Sequence, residues 1–159
     1  MLDWFYTNPT GQILSTIFVA MLPCIELRGA IPVGVAFGLS PGMAFCLSLI
    51  GNMLPVPLLI LFTRHVFRWL TCLDNVIGRF MRAMETRVHN KSDLVIRYRS
   101  IGLCLLVAIP LPGTGAWTGA MVAAFLDMPL RSALPAILLG VLIAGLIVLS
   151  ITYGVITVF

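Results

Sequence analysis

Apolar residues form four long blocks along this chain, and each block is bounded by proline, glycine or polar residues. The blocks cover residues 13–39, 41–63, 101–126 and 132–159. The second and fourth are long enough to cross a hydrocarbon core of about 30 Å as helices, which takes about 20 residues. Asn52, Pro55 and Pro57 interrupt the second block, so the pattern predicts one kinked span and one uninterrupted span.

The first block contains the charged residues Glu26 and Arg28, with Pro23 before them and Gly29 and Pro32 after them. Ionisable side chains at bilayer depth cost at least a few kcal/mol each, and they usually mark the path of a substrate or an ion. The prolines and the glycine predict a broken helix, which is tolerated only where it faces protein or water. We therefore expect the functional site at this break.

The third block carries a second break, Pro110-Leu-Pro-Gly-Thr-Gly-Ala-Trp-Thr-Gly119. Two prolines and three glycines within ten residues exclude an uninterrupted helix interior. A short polar turn from Asp127 to Arg131 separates this block from the last one. We interpret Asp127 and Arg131 as turn residues rather than as part of a site.

Composition assigns the chain to the integral membrane proteins, with an all-α fold. Its 159 residues are 60% hydrophobic and 10% charged, whereas soluble domains carry about 25% charged residues. We expect no cleaved signal peptide, because the first basic residue is Arg28. Neither a P-loop nor a His-x-x-x-His pair occurs, and Ser48 and Ser150 have no obvious base beside them. We therefore expect no enzyme activity, no metal, no cofactor and no nucleic-acid partner.

Most basic residues lie in one connection, residues 64–99, which holds eight of the ten Lys and Arg residues and three acidic ones. By the positive-inside rule this connection is cytoplasmic. Apolar residues recur in it at spacings of three or four, which predicts an amphipathic helix on the membrane surface in contact with anionic lipids. The stripe consists of Phe67, Leu70, Leu73, Ile77, Met81, Met84 and Val88.

The two halves of the chain resemble each other at an offset of 88 residues. The matching segments are Val19-Ala20 with Val107-Ala108, Ala36-Phe37 with Ala124-Phe125, and Pro41 with Pro129. Each half has a broken apolar block, a turn with a proline and then a span. We predict a single membrane domain, residues 1–159, whose two repeats, residues 13–63 and 101–159, are joined by residues 64–99.

Two topologies fit this repeat. Either each broken block crosses the membrane, which gives four spans, or each forms a re-entrant hairpin that enters and leaves on one side. The residues from Ile13 to Leu22 cover about 15 Å as a helix, half the hydrocarbon thickness. Hairpins place Ser40 outside and Arg131 inside, so the positive-inside rule favours them. The halves are then inverted repeats, with the substrate site at their interface near the midplane.

A helix that resumes after a break presents free N–H groups and a partial positive charge. With Arg28, these predict a phosphate or carboxylate site, with hydroxyl donors from Thr114 and Thr118 and stacking by Trp117. Glu26 is predicted to carry a coupling proton; its alternative role is a polar contact that stabilises the hairpin tip. The predicted substrate-binding set is Glu26, Arg28, Gly29, Asn52, Gly113, Thr114, Gly115, Trp117 and Thr118.

The segments Glu26-Leu-Arg-Gly-Ala-Ile-Pro32 and Pro110-Leu-Pro-Gly-Thr-Gly-Ala-Trp117 together resemble the small multidrug export protein family. In layout the chain is also similar to the DedA membrane proteins, which pair re-entrant hairpins with spans and are linked to the flipping of polyprenyl phosphate and other lipids. The second resemblance implies that acids and arginines in the hairpins are essential, and Glu26 and Arg28 are the residues that match.

Together these features predict a proton-coupled transporter of the inner membrane that moves an amphiphilic small molecule by alternating access. A lipid phosphate such as a polyprenyl phosphate is the first candidate, because it suits Arg28 and the helix N-termini. Efflux of lipophilic cationic drugs through Glu26 is the alternative, and a membrane scaffold that recruits anionic lipids through residues 64–99 is a third reading. We also predict a homodimer.

Overall fold

A computed structural model describes residues 8–23, 25–71, 93–110 and 113–158, and within these residues every regular element is an α-helix. The all-α fold class is therefore confirmed for the described part of the chain. Most of the predicted surface helix, residues 72–92, lies outside it. In chain order the helices are α1 (Pro9–Met21), α2 (Glu26–Ala36), α3 (Pro41–Met53), α4 (Val56–Thr71), α5 (Asp93–Ala108), α6 (Ala116–Phe125) and α7 (Leu130–Val158).

Within the described residues, two helical segments are long and apolar enough to cross a membrane, Pro41–Trp69 with 29 residues and Leu130–Thr152 with 23 residues. The first consists of α3 and α4, with a bend at Leu54 and Pro55. Pro55 has no backbone N–H to donate, and its ring pushes away the carbonyl four residues earlier. The kink predicted in this block is thereby confirmed.

Helix α4 continues beyond its expected end at Thr63 and ends at Thr71. The beginning of the segment assigned to the basic connection is therefore part of the span's helix. Phe67, expected on the membrane-surface stripe, instead packs edge-on against Phe125, with ring centroids 5.8 Å apart. Such aromatic pairs contribute roughly 0.5–1.5 kcal/mol in addition to the free energy of burying their surface. This contact therefore stabilises the helical conformation around Phe67, in a segment that the sequence assigned to the connection.

Gly29 and Pro32, which were expected to frame the first break, lie inside α2. The break itself is confined to residues 22–25. Pro32 costs the helix one hydrogen bond, but the helix continues through it to Ala36. The second break, predicted from the segment that starts at Pro110, separates α5 from α6 as expected.

Helices α1 and α2 lie side by side and antiparallel. A Cβ on Gly34 would lie 3.1 Å from the side chain of Thr16, and a Cβ on Gly38 would lie 3.8 Å from that of Gln12. Residues nearer the start of α1 therefore contact residues nearer the end of α2, as in an antiparallel pair. With 13 and 11 residues, these helices are about 20 Å and 16 Å long. Each is too short to cross a 30 Å core alone.

Helices α5 and α6 form a second antiparallel pair. A Cβ on Gly119 would meet Val107 at 2.6 Å, and at the other end of the pair Arg99 Nη1 donates to the Leu126 carbonyl at 3.1 Å. Both halves of the chain thus consist of an antiparallel pair of helices followed by a long helical segment.

The turn after each pair has the same hydrogen bonds in both halves. In the first half, Gly38 N–H donates to Val35 and Leu39 N–H to Gly34; in the second, Asp127 N–H donates to Ala124 and Met128 N–H to Ala123. Gly38 and Asp127 both have positive φ, 95° and 48°, as this helix C-terminal motif requires. The halves therefore correspond here at an offset of 89 residues rather than the predicted 88.

The two long helical segments run antiparallel to each other. Along α3 and α4, Phe45 packs on Gly145, Asn52 shares a cavity with Val141, and Arg64 donates to the Met128 carbonyl. Residue numbers rise on one segment as they fall on the other.

Each long segment approaches the first helix of its own pair closely at one glycine. A Cβ on Gly51 would lie 2.5 Å from the Ile17 carbonyl oxygen, and a Cβ on Gly140 would lie 2.7 Å from that of Cys104. Gly51 and Gly140 are again 89 residues apart. Since neither site has room for a methyl group, glycine sets the distance between the helices in both halves.

This packing predicts opposite effects for two helical Gly→Ala substitutions. Gly140→Ala should lower the free energy of unfolding by about 1–3 kcal/mol, because the methyl group overpacks the contact with α5. In Gly102→Ala, the added Cβ meets nothing within 4 Å, so this control should gain about 0.5–1 kcal/mol from helix propensity. Unfolding of the purified protein in detergent measures both. Equal effects of the two substitutions would contradict the close approach.

Candidate functional site

The tips of the two helical pairs meet, and the Glu26 carboxylate lies at their junction. Glu26 is 8% exposed, and its Oε1 accepts a hydrogen bond of 3.3 Å from the backbone N–H of Trp117. Trp117 is in the first turn of α6, whose N-cap residue is Gly115. A Cβ at Gly115 would overlap the Glu26 carboxylate. The carboxylate therefore caps α6 from the other half of the chain, in space that only glycine leaves open.

Backbone conformation at the first break directs Glu26 to this position. Glu26 has a φ of 49°, in the left-handed region, and its N–H donates to the Leu22 carbonyl at 2.9 Å. A non-glycine residue rarely adopts this conformation and does so where the surroundings determine it. Here the free N–H groups and partial positive charge of α6 attract the carboxylate.

Arg28 binds the opposite helix end of the same tip. Its Nη2 donates to the Ile109 carbonyl at 3.3 Å, to the Thr114 carbonyl, and to Thr114 Oγ1 at 3.3 Å. Ile109 directly follows α5, so the guanidinium lies where that helix has unpaired carbonyls and a partial negative charge. Glu26 and Arg28 thus complement the two ends that the second break creates.

Trp117 makes the reciprocal contact towards the first half. Its indole N–H donates to the Met21 carbonyl at 3.2 Å, and Met21 is the last residue of α1. Trp117 lies 89 residues after Arg28, the same offset as at the turns. Residues 89 positions apart therefore each donate to a carbonyl at or just after the end of the other half's first helix.

Two predicted ligand donors and the predicted open helix end have partners inside the protein. The Thr114 hydroxyl donates to Ile109 at 2.8 Å, and the Thr118 hydroxyl donates to Gly113 at 2.6 Å. The N-terminus of α6, expected to face a ligand, faces Glu26, because a buried carboxylate needs these N–H groups. The Trp117 indole, expected to stack on a ligand, instead donates to the other half of the protein.

A groove of about 470 Å³ opens at the junction of the two tips. Its wall is formed by Pro23, Ile25, Glu26, Arg28, Gly29, Pro110, Gly113, Thr114 and Thr118. Apart from Pro23, Ile25 and Pro110, all of these belong to the predicted set. The three additional residues flank the two breaks in the sequence, and that position is the signal that could have identified them.

A second, much smaller cavity of about 10 Å³ adjoins Glu26. It is lined by Glu26, Leu27, Arg28, Asn52, Val107, Gly115, Ala116, Val141 and Ala144. Asn52 and Gly115 of the predicted set are therefore found here rather than in the groove. Within the described residues, no group of three or more His, Cys, Asp or Glu side chains that could hold a metal ion occurs.

The segment Gly38-Leu-Ser-Pro-Gly42 has the G-x-S-x-G spacing of hydrolase nucleophile elbows. A nucleophile elbow joins a strand to a helix, whereas this segment joins α2 to α3. Ser40 is exposed and directly precedes α3. The spacing therefore lacks the structural context that would make it catalytic.

The contact of Glu26 with Gly115 predicts a non-additive pair of substitutions. Gly115→Ala should destabilise the protein by about 2 kcal/mol or more, because the methyl group displaces the carboxylate from α6. In a Glu26→Ala background the same substitution should cost little, since the space is then vacant. Denaturant unfolding of the single and double variants gives the coupling free energy, expected at about 1–3 kcal/mol. Additive effects would mean that the carboxylate does not occupy this space.

Comparison with known proteins identifies the family. A family model with the description "Putative small multi-drug export protein" matches residues 26–147, which is well over half of the chain and includes the second break. No curated protein and no solved structure matches the chain significantly. The matched region begins at Glu26 itself and extends into α7. This apolar, helical membrane protein belongs to the small multi-drug export protein family.

Proposed function

We propose that the protein is a proton-coupled transporter of an amphiphile with an anionic headgroup, with a lipid phosphate as its substrate class. The position of Glu26 at the N-terminus of α6 carries this proposal. A helix N-terminus is a ready-made anion site, and here the protein's own carboxylate fills it. The family's printed name, small multi-drug export protein, agrees with transport of small molecules.

Coupling follows from competition for that one site. When Glu26 takes up a proton, it loses its charge and with it most of its attraction to α6. A phosphate that enters from the groove then takes its place at the N–H groups. When the phosphate leaves, Glu26 releases the proton and returns. Binding of the anion and binding of the proton thus favour each other, and by linkage this effect is reciprocal.

The groove has a size and a lining that suit such a ligand. Its volume of about 470 Å³ falls in the range of roughly 300–1,000 Å³ that is usual for small-molecule sites. The guanidinium of Arg28 lies on its wall, where it supplies positive charge for a phosphate. Pro23 and Ile25 line the groove as well, and they offer apolar surface to the first carbons of a lipid tail.

The proposed membrane topology is two re-entrant hairpins, α1–α2 and α5–α6, each followed by one span. With four ordinary spans, residues 101–126 would cross the membrane once between α3–α4 and α7. The segments α3–α4 and α7 would then run parallel. Hairpins that return to their own side make the two spans antiparallel. The antiparallel contacts of Phe45 with Gly145 and of Arg64 with Met128 support the hairpins, and with them inverted repeats of the kind common in transporters.

Charge supports one orientation of this arrangement in the inner membrane. Arg64 and Arg99 bind backbone carbonyls around the turn after α6, and Arg131 lies in the first turn of α7 beside them. Among the described residues, no lysine or arginine lies at the opposite end, which holds the turn at Gly38. The positive-inside rule places the arginine end, and with it residues 64–99, in the cytoplasm.

Ser40 and Pro129 occupy equivalent exposed positions, 89 residues apart, and they test the topology directly. In a background without native cysteines, Ser40→Cys should react with a membrane-impermeant maleimide from outside the cell. Pro129→Cys should react only after the cytoplasmic side is opened. Four ordinary spans require both cysteines to be labelled from outside, so that result would reject the hairpins.

Ligand binding to the purified protein tests the substrate class. A polyprenyl phosphate should raise the unfolding temperature, because a ligand of the folded state stabilises it by about 2.7 kcal/mol at 100 times its Kd. The shift should grow as the pH falls, since a proton on Glu26 frees the anion site. Arg28→Ala should lose most of the shift, whereas Arg131→Ala, a matched substitution of an exposed arginine outside the groove, should retain it.

Two results would contradict this assignment. Stabilisation by tetraphenylphosphonium that depends on Glu26 and not on Arg28 would make the substrate a lipophilic cation. Absence of any shift with either ligand, in wild type and in Glu26→Gln, would remove the transport reading and leave a scaffold bound to anionic lipids.

A further inference from the structure

Asn52 is a buried polar residue that has no role in the proposed replacement of the Glu26 carboxylate by a phosphate at the N-terminus of α6. It lies in α3, is 2% exposed, and its Oδ1 accepts no hydrogen bond from any described residue. Burying such an acceptor without a partner costs roughly 1–3 kcal/mol. Leucine would fill a similar volume without that cost, so an asparagine at this position calls for a partner.

The small cavity beside Glu26 offers a position for that partner between Asn52 and Glu26. Both side chains line the same space of about 10 Å³, and a single water molecule needs a cavity of about 10–15 Å³. The remaining wall is mostly aliphatic, from Leu27, Val107, Val141 and Ala144. The two polar side chains therefore converge on one position that a single small molecule fills.

Charge and hydrogen-bonding capacity identify this molecule. Asn52 Oδ1 and the ionised Glu26 carboxylate are both acceptors, so the occupant must supply two donors. A cation is disfavoured, because Arg28 lines the cavity and the positive end of α6 adjoins it. Water supplies two donors without charge.

We propose that Asn52 and Glu26 hold one water molecule between them, and that Asn52 is the positioning residue for the protonation of Glu26. Glu26 and Arg28 line this cavity as well as the groove, so Glu26 adjoins both spaces. When Glu26 is ionised, the water donates to it and to Asn52. When Glu26 is protonated, its O–H donates to the water oxygen, and the water still donates to Asn52.

The water site is inferred from geometry alone. Its role in coupling proton binding to substrate binding rests on the proposed function. In that function the protonated carboxyl group must leave the N–H groups of α6, and the water provides an acceptor for its proton in the interior. The proton of the neutral carboxyl group thus stays hydrogen-bonded after the group has left α6, and the substrate anion can be admitted.

A double-mutant cycle in the full-length protein tests the water. Asn52→Leu should raise the unfolding equilibrium constant about tenfold, because the water and Glu26 lose a shared partner. Combined with Glu26→Gln, the total effect should differ clearly from the product of the single effects. Ser48→Ala is the matched control: Ser48 is buried one turn earlier on α3, its hydroxyl also has no described partner, and it does not line the cavity. The effects of Ser48→Ala and Glu26→Gln on the unfolding equilibrium constant should simply multiply in the double variant.

Each alternative has its own result. If Asn52→Leu stabilises the protein, or if the cycle with Glu26→Gln is multiplicative, the water bridge is wrong. A rise in stability with sodium chloride over choline chloride at equal ionic strength, lost in Glu26→Gln, would replace the water by a cation. In wild type, pH-induced infrared difference spectra should contain a water band that shifts in H₂¹⁸O, and its absence would reject the proposal even if the variants do not fold.

The two proposals fail separately. Loss of phosphate binding with an intact cycle would remove the substrate assignment and leave the water site. If the effects of Asn52→Leu and Glu26→Gln on the unfolding equilibrium constant simply multiply while phosphate binding is preserved, the water site is wrong. The proposed replacement of Glu26 by phosphate at α6 would then still stand.

Discussion

Unpaired helix ends inside an apolar environment are the constraint on which the rest of this structure depends. Each break exposes carbonyls at one helix end and N–H groups at the next, and each such group costs several kcal/mol if it stays unpaired in hydrocarbon. The protein pairs them across the junction of its two halves. Glu26 supplies the negative charge that the N-terminus of α6 attracts, while Arg28 and Trp117 donate to the C-terminal ends of α5 and α1.

These contacts also explain why the two halves meet at their tips. A broken helix is stable only if something satisfies its ends, so the tip of each half needs the other. The glycines at positions 51 and 140 allow the first helix of each pair to pack closely against its long helix. Packing and polar pairing thus support the same arrangement.

Under the proposed mechanism, function and stability depend on the same residues. Glu26 stabilises the junction when it is ionised, and under the proposed mechanism it must leave the N–H groups of α6 for substrate to bind. An intramolecular carboxylate that can be exchanged for a ligand anion keeps the helix end satisfied in both states. Glu26 lines both the small cavity and the larger groove, so under this mechanism a change of its protonation affects both.

The sequence by itself determined the membrane class, the all-α fold, the existence of both breaks and the presence of two charged residues, Glu26 and Arg28, directly after the first one. Hydrophobic block length, proline and glycine placement and the rarity of charge in apolar segments are local properties, and they can be read without neighbours. Only the tertiary structure decided the partners. The carbonyls of Met21 and Ile109 carry no signal in the sequence, because every residue has one. That Glu26 caps α6, that Asn52 lines a small cavity together with Glu26, and that Phe67 packs on Phe125 all depend on contacts between residues far apart in the chain.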